Sequence, residues 1–283
     1  MKRDTFLAID GHSMIYRSVH SRGRALTSPS GEPTRGTFIF FKALFELVAR
    51  IRPQYLVMAE DEARSKTFRR QIFPAYKANR KPHAEEDPSI PIQLQRIKQI
   101  TRELGIPILR ADGFEADDVL ASLADVCASD DVEVVIVSSD KDLQQLVNEN
   151  VIIHNTFTGD FNGIEEVEAR WGVPPSMVVD MQTLMGDPTD GIPGVKGIGE
   201  VKALKLLQEY GSVEDVVDAA EEGKLSPKLC EAVLATDIEL QRTLVKLRTD
   251  VPLDIDEEQL EFNGLDVERA GPLFRELGFN DWT

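Results

Sequence analysis

Nine carboxylates stand where hydrophobic runs of this 283-residue chain give way to turns: Asp10, Asp61, Glu115, Asp117, Asp118, Asp140, Asp142, Asp187 and Asp190. The densest group is Gly113-Phe114-Glu115-Ala116-Asp117-Asp118, three acids within four residues. Singly, each has an ordinary explanation. An Asp before Gly, as at Asp10-Gly11, suits a turn, and acids at a helix start complement its dipole. Nine after successive apolar runs need more. Gathering like charges is costly unless cations neutralise them, and hard divalent ions with oxygen ligands are the natural match. No His or Cys stands at the spacing of a zinc site. Two Mg²⁺ or Mn²⁺ ions about 4 Å apart would clamp the attacking and leaving oxygens of an in-line phosphodiester displacement.

A second stretch supplies the opposite charge. Arg64 to Lys81 holds Arg64, Lys66, Arg69, Arg70, Lys77, Arg80 and Lys81, no acid, and the interleaved aromatics Phe68, Phe73 and Tyr76. Guanidinium and ammonium groups bind phosphates, and aromatics stack on bases. A solvated basic helix face over core aromatics is the bland alternative; an acid-free run of this length is unusual in a chain of net charge −17 and pI about 4.7. The overall charge argues against nucleic acid, but it hides a split. Residues 1–110 carry 20 Lys and Arg against 11 Asp and Glu, and residues 111–283 carry 12 against 38. A basic face set against an acidic remainder, with the acidic cage, reads as a phosphodiesterase acting on nucleic acid.

These groups need elements to carry them. Phe6-Leu7-Ala8-Ile9, Tyr55 to Ala59, Ile106 to Leu109, Val132 to Val137 and Val151 to Ile153 read as strands, several ending in acids. Helical spacing predicts helices over about 37–51 and 91–104 and one opening near Val119. Strands alternating with helices predict an α/β fold, a mostly parallel central sheet with helices on both faces, and ligands beyond the carboxyl ends of the strands. Pro82 to Pro91 reads as a mobile connection. The glycine-rich turn Gly191 to Gly199 precedes a helix to about Tyr210 and offers backbone N–H groups to a phosphate; a tight helix-to-helix turn is the alternative. No strand precedes it, so neither a Rossmann fingerprint nor a P-loop fits. Residues 212–250 add helices, and the segment after Val251 stays unassigned. No apolar run is long enough to span a bilayer, and no signal-peptide pattern opens the chain. With Cys127 and Cys230 read as reduced packing residues, a cytoplasmic protein is expected.

The chain resembles the 5′-nuclease domain at the N-terminus of bacterial DNA polymerase I, within the flap endonuclease superfamily. The matching stretches are Asp10-Gly11, Gly31-Glu32-Pro33-Thr34, Thr67-Phe68-Arg69, Tyr76-Lys77-Ala78-Asn79-Arg80, Gly113 to Asp118, Ser139-Asp140-Lys141-Asp142, and Met185-Gly186-Asp187 through Gly199. They run in family order over nearly the whole chain. The resemblance implies a PIN-like nuclease core over residues 1–185, a helical arch at 64–91, and a helical duplex-binding region over 186–283 with a helix–turn–helix element. It implies one metal site of Asp10, Asp61, Glu115 and Asp117, and a second of Asp118, Asp140, Asp142, Asp187 and Asp190. Lys77 and Arg80 would contact the scissile phosphate, Tyr76 would belong to the arch, and Arg69 and Arg70 would bind substrate. Gly194, Lys196, Gly197 and Gly199 would grip duplex DNA, with a K⁺ at the 191–199 turn. The activity implied is Mg²⁺-dependent 5′→3′ exonuclease and 5′-flap endonuclease cleavage of DNA in replication and repair, leaving a 5′-phosphate. Mn²⁺ would substitute. The partners implied are DNA with a 5′ flap or 5′ end and a DNA polymerase, fused or separate, with the nuclease a monomer.

One position has two readings. Counting forward from Pro53 selects Asp61 as the acid of the second strand; counting back from Thr67 selects Glu62. Strand register favours Asp61, since an extra loop residue is easily absorbed. Two competing functions share the acidic site: an RNA-cleaving PIN-type nuclease and a non-catalytic branched-DNA binding module.

Overall fold

The near-continuous apolar run after Arg3 becomes β1 (Asp4–Asp10), buried on both faces. That is what a central strand of a parallel sheet requires. The computed structural model describes residues 3–80, 87–156, 158–253 and 255–282. β1 is flanked by β2 (Tyr55–Ala59) and β4 (Val132–Val137); β3 (Ile108–Leu109) lies outside β2, and β5 (Val151–His154) and β6 (Phe161–Asn162) lie outside β4. The order is β3-β2-β1-β4-β5-β6, parallel except for β6. The chain fills one side of β1, then crosses to the other. The switch point therefore falls between β1 and β4, where an open α/β sheet leaves a crevice for ligands.

Register sets the levels of the acids. Asp10 pairs with Ala59, and Ile9 pairs with Val137. Asp61 thus follows the edge on one side of Asp10, and Ser138 to Asp142 follow it on the other. Along β1, side chains alternate between two layers. Leu7 and Ile9 pack with α1 (Gly11–His20), α2 (Arg35–Ile51) and a helix over Ser89–Glu103 through Met14, Phe40, Phe41, Leu44, Ile97 and Ile100. Phe6 and Ala8 face the helix Ala116–Cys127 through Val119, Leu120 and Leu123. In chain order, α3 is Phe68–Ile72, α4 is Ser89–Glu103 and α5 is Ala116–Cys127.

After β6 the chain is helical: α6 (Ile164–Trp171), α7 (Val178–Met185), α8 (Glu200–Tyr210), α9 (Val213–Glu221), α10 (Pro227–Leu234), α11 (Ile238–Val245) and α12 (Val267–Glu276). Met181, Leu184, Ile198 and Leu207 share one core with the α5 side of the sheet. The last helix returns to the opposite layer, where Phe274 meets Phe41 and Phe45 edge-on.

Several elements depart from the sequence reading. α1, not anticipated, starts because Asp10 caps it, accepting from Ser13 N–H at 2.9 Å. The Arg64–Lys81 stretch is a 3₁₀ turn, the five-residue α3 and further turns up to Arg80. Lys81 and the first part of the connection expected over 82–91 lie outside the described residues. No helix among the described residues is long and apolar enough to cross a membrane.

Candidate metal centre

Asp10 ends β1 almost fully buried. Its Oδ1 accepts from Ser13 N–H, and its Oδ2 accepts from the Ser138 hydroxyl at 2.6 Å. Burial, reinforced by the nearby Asp61 charge, outweighs these bonds and raises its pKa to about 6. Asp61 accepts from Ala116 N–H at the start of α5 at 2.8 Å and stands 3.3 Å from His12 Nδ1. Asp117 projects from the first turn of α5. Burial, together with Asp140, Asp10 and Asp61, raises its pKa well above the usual carboxylate value.

Past β4, Asp140 N–H donates to Ser138 Oγ at 3.0 Å, and Asp140 Oδ1 accepts from Asp142 N–H at 3.0 Å. Asp142 also accepts from the Gln182 amide of α7. Burial and the neighbouring Asp140 push its pKa up to about 7. Asp187 and Asp190 arrive on the turn after α7, closed by paired hydrogen bonds between Asp187 and Ile192. Asp142, Asp187 and Asp190 each place an oxygen within 4.8 Å of the other two.

Three cations stand among these acids. Lys77 Nζ lies 2.6 Å from Glu115 Oε1 and 3.5 Å from Asp190 Oδ2. Its backbone is left-handed, at φ 50°, and its N–H donates to the Asp190 carbonyl at 2.7 Å. That conformation costs a non-glycine residue ~1–3 kcal/mol, a strain typical of functional positions. Arg80 pairs with Asp190, and Lys141 stands 2.8 Å from Asp187. Burial opposes ionisation of Glu115, but Lys77 and Arg69 win and hold its pKa down at about 2.

Four sequence expectations are corrected. Asp118, expected on a metal, and Arg69, expected on a phosphate, are 0% and 1% exposed. They form a two-pronged pair at 2.6 and 2.8 Å. Arg69 spends its remaining donors on Glu115 and on the carbonyls of Leu244 and Lys246, and Asp118 also accepts from the N–H groups of Glu115 and Arg248. Neither has capacity left for a ligand. Tyr76, expected at the substrate, is 4% exposed and gives its hydroxyl hydrogen to Glu115 at 2.8 Å, so its ring is closed to a base. Gly194 is buried too. Its N–H donates to Gln241, and a Cβ there would sit 2.3 Å from Gly186 N, so glycine serves a backbone crossing.

Other expected residues lie where they can reach a partner. Lys196, Gly197 and Gly199 are exposed before α8. Arg70 is half-buried and donates to the Tyr76 carbonyl. The two acids read from the second strand point apart. Glu62 turns back onto Ala63 N–H and toward Arg110, whereas Asp61 acts on Asp10 and Asp117. Sequence reasoning missed Ser138, His12, Gln182 and the partner role of Lys141. Only Lys141, wedged between two acids, carried a signal.

A family model described as "5'-3' exonuclease, N-terminal resolvase-like domain" matches residues 5–172, and one described as "5'-3' exonuclease, C-terminal SAM fold" matches residues 173–268. A 5'-3' exonuclease of Aquifex aeolicus is 38% identical over 273 residues, covering 96% of this chain and 92% of that one. A DNA polymerase I of Rhizobium leguminosarum is 38% identical over 268 residues, covering 92% of this chain and 26% of that one, so the chain spans about a quarter of that relative. Among solved structures, the T5 5'-exonuclease with bound divalent metal ions (zinc) superposes with a TM-score of 0.72 at 21% identity, covering 87% of this chain and 90% of that one. The catalytic core of Rad2 with a DNA substrate gives 0.64 at 16%, covering 97% and 88%. These two show likeness of fold. The matched family models and the full-length exonuclease relative together establish that this chain belongs to the 5′-3′ exonuclease family.

Proposed function

We propose that the chain is a Mg²⁺-dependent, structure-specific 5′→3′ exonuclease and 5′-flap endonuclease that hydrolyses DNA to 5′-phosphate products in replication and repair. The observation that carries this reading is the crowding of Asp10, Asp117, Asp142, Asp187 and Asp190 at one sheet edge, with Lys77 and Arg80 against them.

The donor set fits divalent cations. All the donors are carboxylate oxygens, and burial with mutual repulsion raises the pKa of Asp10, Asp117 and Asp142. Hard ions relieve such repulsion. Asp10, Asp61 and Asp117 would hold one Mg²⁺, joined by Glu115 once Lys77 leaves its Oε1 for the phosphate, and Asp140, Asp142, Asp187 and Asp190 the other, with Mn²⁺ as a substitute. When bound, the pair supplies Lewis acidity, making water more acidic and neutralising charge that develops on the phosphate.

The chain's own residues do the rest. Lys77 and Arg80 hold the scissile phosphate. The Lys77 ammonium keeps its charge, because Glu115 and Asp190 outweigh its burial and raise its pKa. Tyr76 orients Glu115, and Ser138 orients Asp10. Lys196 and the exposed Gly197 and Gly199 take duplex backbone phosphates at the N-terminus of α8, where N–H groups and the dipole favour an anion. A K⁺ at the 191–199 turn would share or compete for the Gly197 carbonyl, which accepts from the exposed Lys202 ammonium at 2.6 Å.

The proposed substrate is DNA with a 5′ end or 5′ flap at a duplex junction. The enzyme acts as a cytoplasmic monomer, with or fused to a DNA polymerase. Purified protein with Mg²⁺ should cut a 5′-flap duplex and release 5′-phosphorylated product. No cleavage with either Mg²⁺ or Mn²⁺ overturns the reading. Preferential cleavage of single-stranded RNA would favour the PIN-type alternative, and tight flap binding without turnover the binding module.

A further inference from the structure

A second cavity, of about 300 Å³, opens between α1, α2 and the β5–β6 connection. Its floor is apolar, from Met14, Leu47 and Val137, and its walls carry Arg17, Arg50, His154, Thr156, Thr158 and Glu46. We propose that this cavity is an anion site built for a phosphate group, held by the guanidinium groups of Arg17 and Arg50 and by the side chains of His154 and Thr156.

Two wall groups call for a ligand. His154 and Thr156 are 9% and 4% exposed, and neither His154 Nδ1 nor Thr156 Oγ1 has a hydrogen-bond partner. Leaving a buried polar atom unpaired is costly, and such groups in native proteins mark an ion, a water or a functional site. Two of them line one cavity here, beside two arginines. Both atoms are shielded from solvent, so each side chain must rotate to meet an occupant.

The cations are directed. Arg50 lies over the Phe161 ring at 4.7 Å, and the same ring meets His154 edge-on at 4.9 Å. Phe161 therefore gathers the Arg50 guanidinium and the imidazole around one ring. Both arginines lower the pKa of His154, behind burial as the main cause, so their charges converge on it. That keeps the imidazole neutral, with one nitrogen free to donate. The single acid in the wall, Glu46, is exposed and 3.9 Å from Lys42 on the same helix, which offsets it. A guanidinium pair with a neutral donor and a hydroxyl suits a phosphate, which takes several charge-assisted hydrogen bonds. The volume is at the lower end for ligand pockets, enough for a phosphate and its adjoining sugar.

Arg17 stands seven residues along α1 from Asp10, roughly 10 Å. The phosphate has two sources: a diester of a strand engaged at the acidic cluster, or a free phosphomonoester. Only the first source rests on the nuclease reading.

The test uses the full chain in EDTA, in an Asp117→Asn background, so that neither metal nor turnover contributes. Imidazole resonances of the chain's four histidines are followed while inorganic phosphate, a deoxynucleoside monophosphate or a short unphosphorylated single strand is added. The His154 signals should shift saturably with at least one probe. Arg50→Gln, on the exposed side, and Thr156→Val, nearly the same shape, should each weaken that binding roughly tenfold. A response to phosphate or the monophosphate alone identifies a phosphomonoester site; a response to the strand identifies a backbone contact. No saturable shift with any probe, or equal affinity in Arg50→Gln, overturns the proposal. Flap cleavage in the parental protein is unaffected by either result, so the two readings fail separately.

Discussion

Ser138 joins the acids of two strands: its hydroxyl donates to Asp10 Oδ2 at 2.6 Å while its oxygen accepts from Asp140 N–H at 3.0 Å. One buried hydroxyl thus fixes the carboxylates that flank the switch point between β1 and β4. Partners that orient metal ligands typically matter by 10–100-fold in metal affinity or activity. Ser138→Ala should therefore lower single-turnover flap cleavage by about that much, with part of the loss recovered at high Mg²⁺, and Ser138→Thr should restore it. Parental cleavage in Ser138→Ala at limiting Mg²⁺ would mean that Asp10 needs no such anchor.

Arg69 and Asp118 tie α5 to the last turn of α11 and the residue after it through a fully buried pair. Removing one partner strands a charge, which costs about 3–5 kcal/mol. Arg69→Ala should lower the unfolding free energy by that amount in urea melts. Asp140→Asn, at the acidic cluster, should abolish cleavage without lowering stability, and should leave flap binding near parental. A stable Arg69→Ala protein defective only in substrate binding would restore Arg69 to the phosphate-binding set.

The split between these residues explains what could be read from the sequence. β1, β2 and β4 are runs of apolar residues, and their ends place Asp10, Asp61 and Asp140 at one edge, so the sheet and most of the acids were legible. Asp117 and Asp118 were not separable. Consecutive helix residues point about 100° apart, so one faces the cluster and the other faces Arg69. Which is which depends on how α5 is rotated against α11, a tertiary fact. Tyr76 shows the same limit, since an aromatic among cations reads as a stacking platform until its hydroxyl is found on Glu115. The orphaned His154 and Thr156 had no signal, because nothing in their types or spacing distinguishes them from packed strand-end residues.

The glycines of the turn before α8 divide by what surrounds them. A Cβ on Gly194 would meet Gly186 N at 2.3 Å and Met185 C at 2.5 Å, backbone that cannot move aside. On Gly197, at φ 84°, a Cβ would meet nothing within 4 Å. Gly197→Ala should then cost only the left-handed backbone strain, ~1 kcal/mol. Gly194→Ala should cost several times more and disturb the loop carrying Asp187 and Asp190, seen as lost Mg²⁺ affinity. Equal melting temperatures for the two variants would remove the steric account of the Gly186–Gly194 crossing.

The acids set a pH dependence whose sign follows from their shifts. Asp10 and Asp142 have native pKa values raised from 3.8 to about 6 and about 7. The metal-free native state then holds protons that the unfolded chain has lost, so stability falls as pH rises from about 4 to about 7. Glu115 acts in the opposite sense and elsewhere: its pKa drops from 4.5 to about 2, so its contribution is present above about 4.5 and lost as pH falls through about 2. Urea melts in EDTA should show declining stability between pH 4 and 7. Divalent ions bind the deprotonated carboxylates, so Mg²⁺ should flatten the decline, and calorimetry near pH 6 should register proton release on binding that fades by pH 8. The Asp10→Asn variant should lose part of the decline. A metal-free protein whose stability instead climbs across that window would show that these carboxylates are not held under mutual repulsion, and the case for a two-ion cage would go with it.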